Sequence, residues 1–377
     1  MDKSFKQTIN SVFSGIFGSG NSSDSVLGID IGSSSIKVVQ LKRQGGKAIL
    51  ETYGALSLGP YAKVDFGKVT NLTGDEIALA LKDTLKESSV TTSYGEMAIP
   101  SSSSLIFTLS LPSSLSEEDL KNVIPNEARK YIPIPINEVT LDWFIIPKEA
   151  EVLDEDISRK VVKNPESNLE VLVVAIQNDT LLKYQDILKK SSIKSNSFEL
   201  EIFSSVRSSF SHDIAPVLLI DFGASKTKLS IVENGIIRLF HVVNKGGQDI
   251  SNNIANSLNI SFTEAEKMKR VHGLDENSSR EISDIVRLSI DYIFSETNNV
   301  VLTYEKKYNN SISKVVLSGG GSLIKGLLPY SKNSFHTEVI LSDPFSKIEA
   351  PLFLEPVLKA SGPEFAVAVG LALKQLS

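Results

Sequence analysis

VLGIDIGSSSIKVVQL, residues 26–41, decides the fold: an apolar strand, a tight turn carrying Asp30, Gly32 and three serines, then a second strand in β-alternation. The same pattern returns as VLLIDFGASKTKLSIV at residues 217–232. A third glycine cluster, VVLSGGGSLIKG, spans residues 315–326. Asp30 and Asp221 lie 191 residues apart, about one domain length, so the pattern is an internal duplication and not a short solenoid repeat. Two aspartate turns answered by a late glycine loop describe a nucleotide clamped between two related halves.

The flanking sequence extends each half. Residues 48–58 read as a third strand, with Gly45 and Gly46 in the hairpin before it. A helix is expected from near Asp75, then a short buried strand at 95–100. Residues 101–177 read as an inserted αβ module: strands at 105–112, 139–146 and 169–176, and a helical stretch 116–132 capped by Ser116 and Asp119. Pro125 is expected to bend or split that helix. Helices at 179–190 and 202–210 lead into the second half, where helices follow at 248–258, 262–273 and 279–307. The expected organisation is an N-terminal segment 1–25 and a first domain of 26–100 plus 178–215. The inserted module is 101–177, and the second domain is 216–377, with 244–309 as its nucleotide-side subdomain.

With 377 residues, 41% hydrophobic and 22% charged, the chain has the make-up of a soluble globular protein of more than one domain. A net charge of −6 argues against nucleic-acid binding through a large basic face. The absence of cysteine excludes disulfides and thiolate zinc, and the four scattered histidines lack metal-ligand spacing. No run is apolar and long enough to span a membrane, and no signal peptide is visible. Phe5, Ile9, Val12, Phe13, Ile16 and Phe17 form one helical stripe before the linker 18–25; the stripe suits a partner, a membrane surface or the body of the protein itself.

Small residues in a β-turn let backbone N–H groups approach phosphate oxygens. Gly32, Ser33, Ser34 and Ser35 supply this in the first turn, and Gly223, Ala224, Ser225 and Thr227 in the second. Lys37 and Lys226 add positive charge, though strand alternation leaves open which way they point. Asp30 and Asp221 would repel phosphate unless a cation lay between, so the pair implies Mg²⁺ with its waters. Gly319, Gly320, Gly321 and Ser322 follow a buried strand, and Gly246 and Gly247 open a helix; both suit close approach to a base or phosphate.

These elements resemble the sugar-kinase, Hsp70 and actin superfamily. Within it the chain is similar to the PilM family of type IV pilus assembly, itself related to FtsA, over nearly all of residues 26–376. The most specific pieces are GIDIGSSSIKVVQL, IPNEARKYIPIPINEV at 124–139, ISFTEAEKMKR at 260–270, GGGSLIKGL, DPF at 343–345 and EFAVAVGLALK. The resemblance implies an actin-like α/β fold, two RNase H-like domains around a nucleotide cleft, with the insertion placed as in FtsA. It implies ATP and Mg²⁺ held through Asp30 and Asp221, and Glu266 and Lys269 near ribose and base. It also implies Glu201 as a weak water-activating base or a mere helix cap. The implied partner is the N-terminal cytoplasmic peptide of a PilN-like membrane protein, at the inner face of the cytoplasmic membrane. Tyr131, Ile132, Ile134 and Ile136 are candidates for its groove or for the module's own core. Other pilus subunits and self-association remain open. So do an FtsA-like membrane-tethered filament and a small-molecule kinase. The apolar stretch 342–362 and the long N-terminus depart from the family pattern.

Overall fold

The computed structural model describes residues 25–146, 168–210 and 213–376. The N-terminal stripe and nearly all of the charged stretch 148–169 lie outside the described residues.

The first lobe starts as a meander. Strands β1 (Ser25–Ile31), β2 (Ser35–Gln44) and β3 (Lys47–Ser57) pair antiparallel, with Ile31 opposite Ile36 around the first aspartate turn. Gly45 and Gly46 both take positive φ in the second hairpin, as a two-residue turn of this hand requires. Strand β4 (Gly95–Ile99) then adds parallel to β1, and β8 (Phe198–Leu200) parallel to β4. The sheet order is β3-β2-β1-β4-β8. In the second lobe, β9 (Val217–Phe222), β10 (Thr227–Glu233) and β11 (Ile236–Val243) repeat the meander; β12 (Lys314–Ser318) and β13 (Glu338–Leu341) add in parallel. Its order, β11-β10-β9-β12-β13, is the same sheet built twice.

Helices cover both sheets. In the first lobe α1 (Gly74–Glu87) begins at a Thr73–Glu76 capping box and presents Ile77, Ala80 and Leu81 inward. The helix α3 (Asn178–Lys190) packs beside it through Leu181 and Ile187. In the second lobe α5 (Gly247–Leu258), α6 (Phe262–His272) and the 29-residue α7 (Arg280–Tyr308) bury Ile250, Ile254, Ala265, Val286, Ile290 and Ile293 on β9 and β10.

Between them, α2 (Glu117–Ala128) and strands β5 (Ser104–Pro112), β6 (Val139–Ile146) and β7 (Asn168–Gln177) form a separate sheet of order β5-β7-β6. Ser116 and Asp119 make the expected capping box. Pro125 does not split α2; the helix runs on to Ala128, and Lys121, whose carbonyl the proline cannot bond, is an exposed residue. One sheet face packs Leu109, Leu111, Val171 and Val173 on Leu120 and Ile124. The other buries Ile146, Leu172, Val174 and Ile176 in the first-lobe core, where Val232 and Ile237 of the second lobe join them.

The closing helix corrects the expected division at 216–377. After α8 (Leu327–Ser334) and α9 (Glu355–Ser361), helix α10 (Ala366–Leu376) packs on the first sheet, with Ala368, Val369 and Ala372 against Val26, Val39 and Leu41. Its small residues permit this: a Cβ on Gly28 would meet the Ala368 carbonyl at 1.9 Å, and one on Gly370 the Ser204 carbonyl at 1.9 Å. Ser204 belongs to α4 (Glu201–Ser209), which lies under both lobes: its Val206 also meets the second-sheet residues Val217, Leu219 and Val316.

Candidate functional site

The two aspartate turns face one another across a cleft of about 910 Å³. The cleft collects Asp30, Gly32, Ser33, Ser34, Ser35 and Lys37 from the first turn. From the second it collects Asp221, Gly223, Ala224 and Ser225. Glu201, Gly247, Glu266, Lys269, Gly319, Gly320 and Gly321 complete the expected set. Three expected residues stand behind the wall instead. The Thr227 hydroxyl donates to the Lys245 carbonyl at 2.9 Å and the Ser322 hydroxyl to the Gly319 carbonyl at 2.7 Å, while Gly246 packs flat on the Ala224 backbone.

Each turn closes the same way. Gly32 N–H donates to the Ser35 carbonyl at 2.9 Å, and Gly223 N–H to the Lys226 carbonyl at 3.0 Å. The start of α5 is fastened to the second turn, Gly247 and Gln248 N–H donating to the Gly223 and Ala224 carbonyls, each at 2.9 Å. The glycine loop reaches the same turn because Gly319 adopts φ 77° and carries no Cβ; one would meet Asp221 Oδ1 at 2.3 Å.

Charge is concentrated where the turns meet. Strand pairing sets Asp30 opposite Lys37 and Asp221 opposite Lys228. Lys228 Nζ donates to Glu201 Oε2 at 2.8 Å and to Asp221 Oδ2 at 3.0 Å. Glu201 Oε1 accepts from Ser101 N–H at 2.7 Å, so both oxygens of this carboxylate are engaged. Lys37 Nζ stands 3.8 Å from Asp30 Oδ2 and bonds Ser35 Oγ at 3.0 Å. Burial pushes the Asp30 carboxyl up to about 6; Lys37 opposes the rise and Glu201 adds to it. Burial works against a charge on Lys228, but Asp221 and Glu201 outweigh it and hold the ammonium above its usual range.

Sequence reasoning missed Lys228. A signal was present: Asp30 and Asp221 are each followed by a lysine seven positions on, in DIGSSSIK and DFGASKTK. The expected Mg²⁺ at Asp30 and Asp221 would compete with lysines for these carboxylates. Asp221 and Glu201 already share the Lys228 ammonium, and Lys37 stands 3.8 Å from Asp30.

At the outer end of the cleft Glu266 and Lys269 are both buried and paired at 2.6 Å, so they form cleft wall and not a solvated surface pair. Ser251 Oγ donates to Glu266 at 2.6 Å and Arg270 Nε at 2.7 Å. Burial opposes the charge of Glu266, but Lys269 and these donors keep its carboxyl below the usual range. First-lobe residues close over this wall. Val69 N–H donates to Gln248 Oε1 at 2.6 Å, Lys68 lies over the Phe262 ring at 5.0 Å, and a Cβ on Gly67 would meet the Glu266 carboxyl carbon at 3.0 Å.

In the inserted module, Ile132 is buried and Ile134 and Ile136 pack against the same core. Tyr131 alone of the four is exposed, its ring stacked on Phe107 at 4.8 Å.

A duplicated sheet, a shared cleft and an inserted module are thus in place. A family model described as type IV pilus assembly protein PilM matches residues 28–376. The chain belongs to that family. A solved PilM-PilN type IV pilus biogenesis complex superposes with a TM-score of 0.77 at 22% identity, covering 93% of this chain and 98% of that one. The ethanolamine utilization protein EutJ of Carboxydothermus hydrogenoformans follows at 0.51 and 14% identity, covering 99% of both chains. The fold is the actin-like ATPase fold, as the aspartate turns led one to expect. Cell division protein FtsA of Bacillus subtilis is 20% identical over 86% of this chain and 80% of its own length. FtsA of Buchnera aphidicola is 29% identical over 51% of this chain; the match spans only 45% of that protein.

Proposed function

We propose that this chain is an ATP-binding scaffold of the type IV pilus inner-membrane assembly complex. It binds the N-terminal peptide of a PilN-like membrane protein and sits through that partner at the cytoplasmic face of the inner membrane. The observation that carries the nucleotide half is the convergence of both aspartate turns and the glycine loop on one cleft. The PilM-PilN structure to which the chain is similar supports the partner. Hydrolysis is slow or absent in this role, because Lys228 and Ser101 hold Glu201 from both sides and keep it from turning toward a water. The stacked pair Phe107 and Tyr131 offers a peptide an aromatic anchor on the outer face of the module.

Isothermal titration of the protein with ATP, and separately with a synthetic PilN-type N-terminal peptide, tests both halves. Binding of each is expected. Tyr131→Ala should weaken the peptide by about tenfold, roughly 1.4 kcal/mol, and leave ATP unchanged. No heat with either ligand rejects the proposal.

A further inference from the structure

The carboxylates expected to organise a divalent ion are already matched with lysines by the strand register. Lys37 stands opposite Asp30 and Lys228 opposite Asp221, one pair from each copy of the duplicated hairpin. The pairing is fixed by main-chain hydrogen bonds, so neither lysine leaves without breaking its ladder or turning its side chain away. Lys228 is held on two sides, at 2.8 and 3.0 Å, with only 18% of its side chain exposed. A metal ion between Asp221 and Glu201 would have to displace that ammonium. The wider wall is not acidic either. Lys183, Lys226, Lys269 and Arg270 also line the cleft, giving six basic side chains against five acidic ones.

Resting on the nucleotide reading above, we propose that Lys228, with Lys37, is the resident counter-cation of this cleft, so that nucleotide phosphates bind without an obligatory divalent metal. The ammonium that neutralises Asp221 and Glu201 presents its remaining surface to the phosphates, as a bound ion would. Asp221 and Glu201 then position the lysine and do not ligate metal.

The test is titration of the full chain with ATP in excess EDTA and in excess MgCl₂. The two dissociation constants should agree within about threefold. Lys228→Ala frees two carboxylates and should invert this behaviour: affinity lost in EDTA by about tenfold or more and recovered with MgCl₂. ATP binding by the wild type that vanishes in EDTA overturns the proposal while leaving the nucleotide cleft standing. No ATP binding in either buffer overturns the nucleotide reading and this proposal with it. If Lys228→Ala does not fold, the wild-type pair of titrations decides alone.

Discussion

Asp30 is a carboxyl kept from water, and its titration carries a sign that can be worked out. Its folded value of about 6 lies above the ordinary 3.8. The folded state therefore holds the proton more tightly than the unfolded chain. The stability it contributes is full below 3.8 and is lost as pH rises through about 6. The shift is worth about 3 kcal/mol. In metal-free buffer the melting temperature should fall between about pH 4 and pH 7 in part for this reason, and Asp30→Asn should shrink the fall. An unchanged pH profile would show that Asp30 is better solvated than its burial indicates. At this scale the sequence was partly legible. The glycines and serines of both turns reached the cleft because a repeated motif marks where backbone must come close. Thr227 and Ser322 did not, because a hydroxyl beside a glycine loop reads alike whether it faces ligand or backbone. Lys228 was overlooked because strand alternation alone does not reveal that register sets it opposite Asp221.

Helices α4 and α10 are joined at the scale of elements by close backbone contact, and both reach the buried Glu199 of β8. Arg207 holds Glu199 through two nitrogens at 2.6 and 2.8 Å, with Lys374 at 3.8 Å. Burial disfavours the Glu199 charge, but Arg207 outweighs it and keeps the carboxyl below its usual range. Stability from this pair is thus present above the ordinary carboxylate value and is lost as pH falls through the lower folded one. Arg207→Ala leaves the buried Glu199 carboxylate only Lys374 at 3.8 Å and the Ser204 hydroxyl, and should cost roughly 3 kcal/mol in chemical denaturation. Gly370→Ala forces a methyl onto the Ser204 carbonyl and should cost about 1–3 kcal/mol. A wild-type midpoint for either variant would contradict the packing described. The strands were readable from alternation and the helices from their period. The docking of α10 on the first lobe was not, because a helix of Ala, Val and Leu packs equally well on either sheet until Gly28 and Gly370 are placed.

Across the whole molecule, the inserted module touches both lobes. Ile146, Leu172 and Ile176 share a core with Val232 and Ile237, and Lys307 pairs with Glu170 at 3.1 Å. The proposed peptide on the module and the proposed nucleotide in the cleft would therefore act on one mechanical unit. Any coupling must be reciprocal: the factor by which ATP changes peptide affinity should equal the factor by which the peptide changes ATP affinity. Titrations of each ligand with the other saturating measure that factor, which should differ from one; a factor of one would mean the shared core does not couple the two sites. The cleft is also spanned at its outer end, where Val69 meets Gln248 and Lys68 covers Phe262. With a strap across the mouth and a wedge beneath, the lobes cannot part without tearing apolar surface from one side or polar contacts from the other. For the nucleotide proposed above, such a body is expected to act less like a motor that cycles than like a latch with a long dwell time.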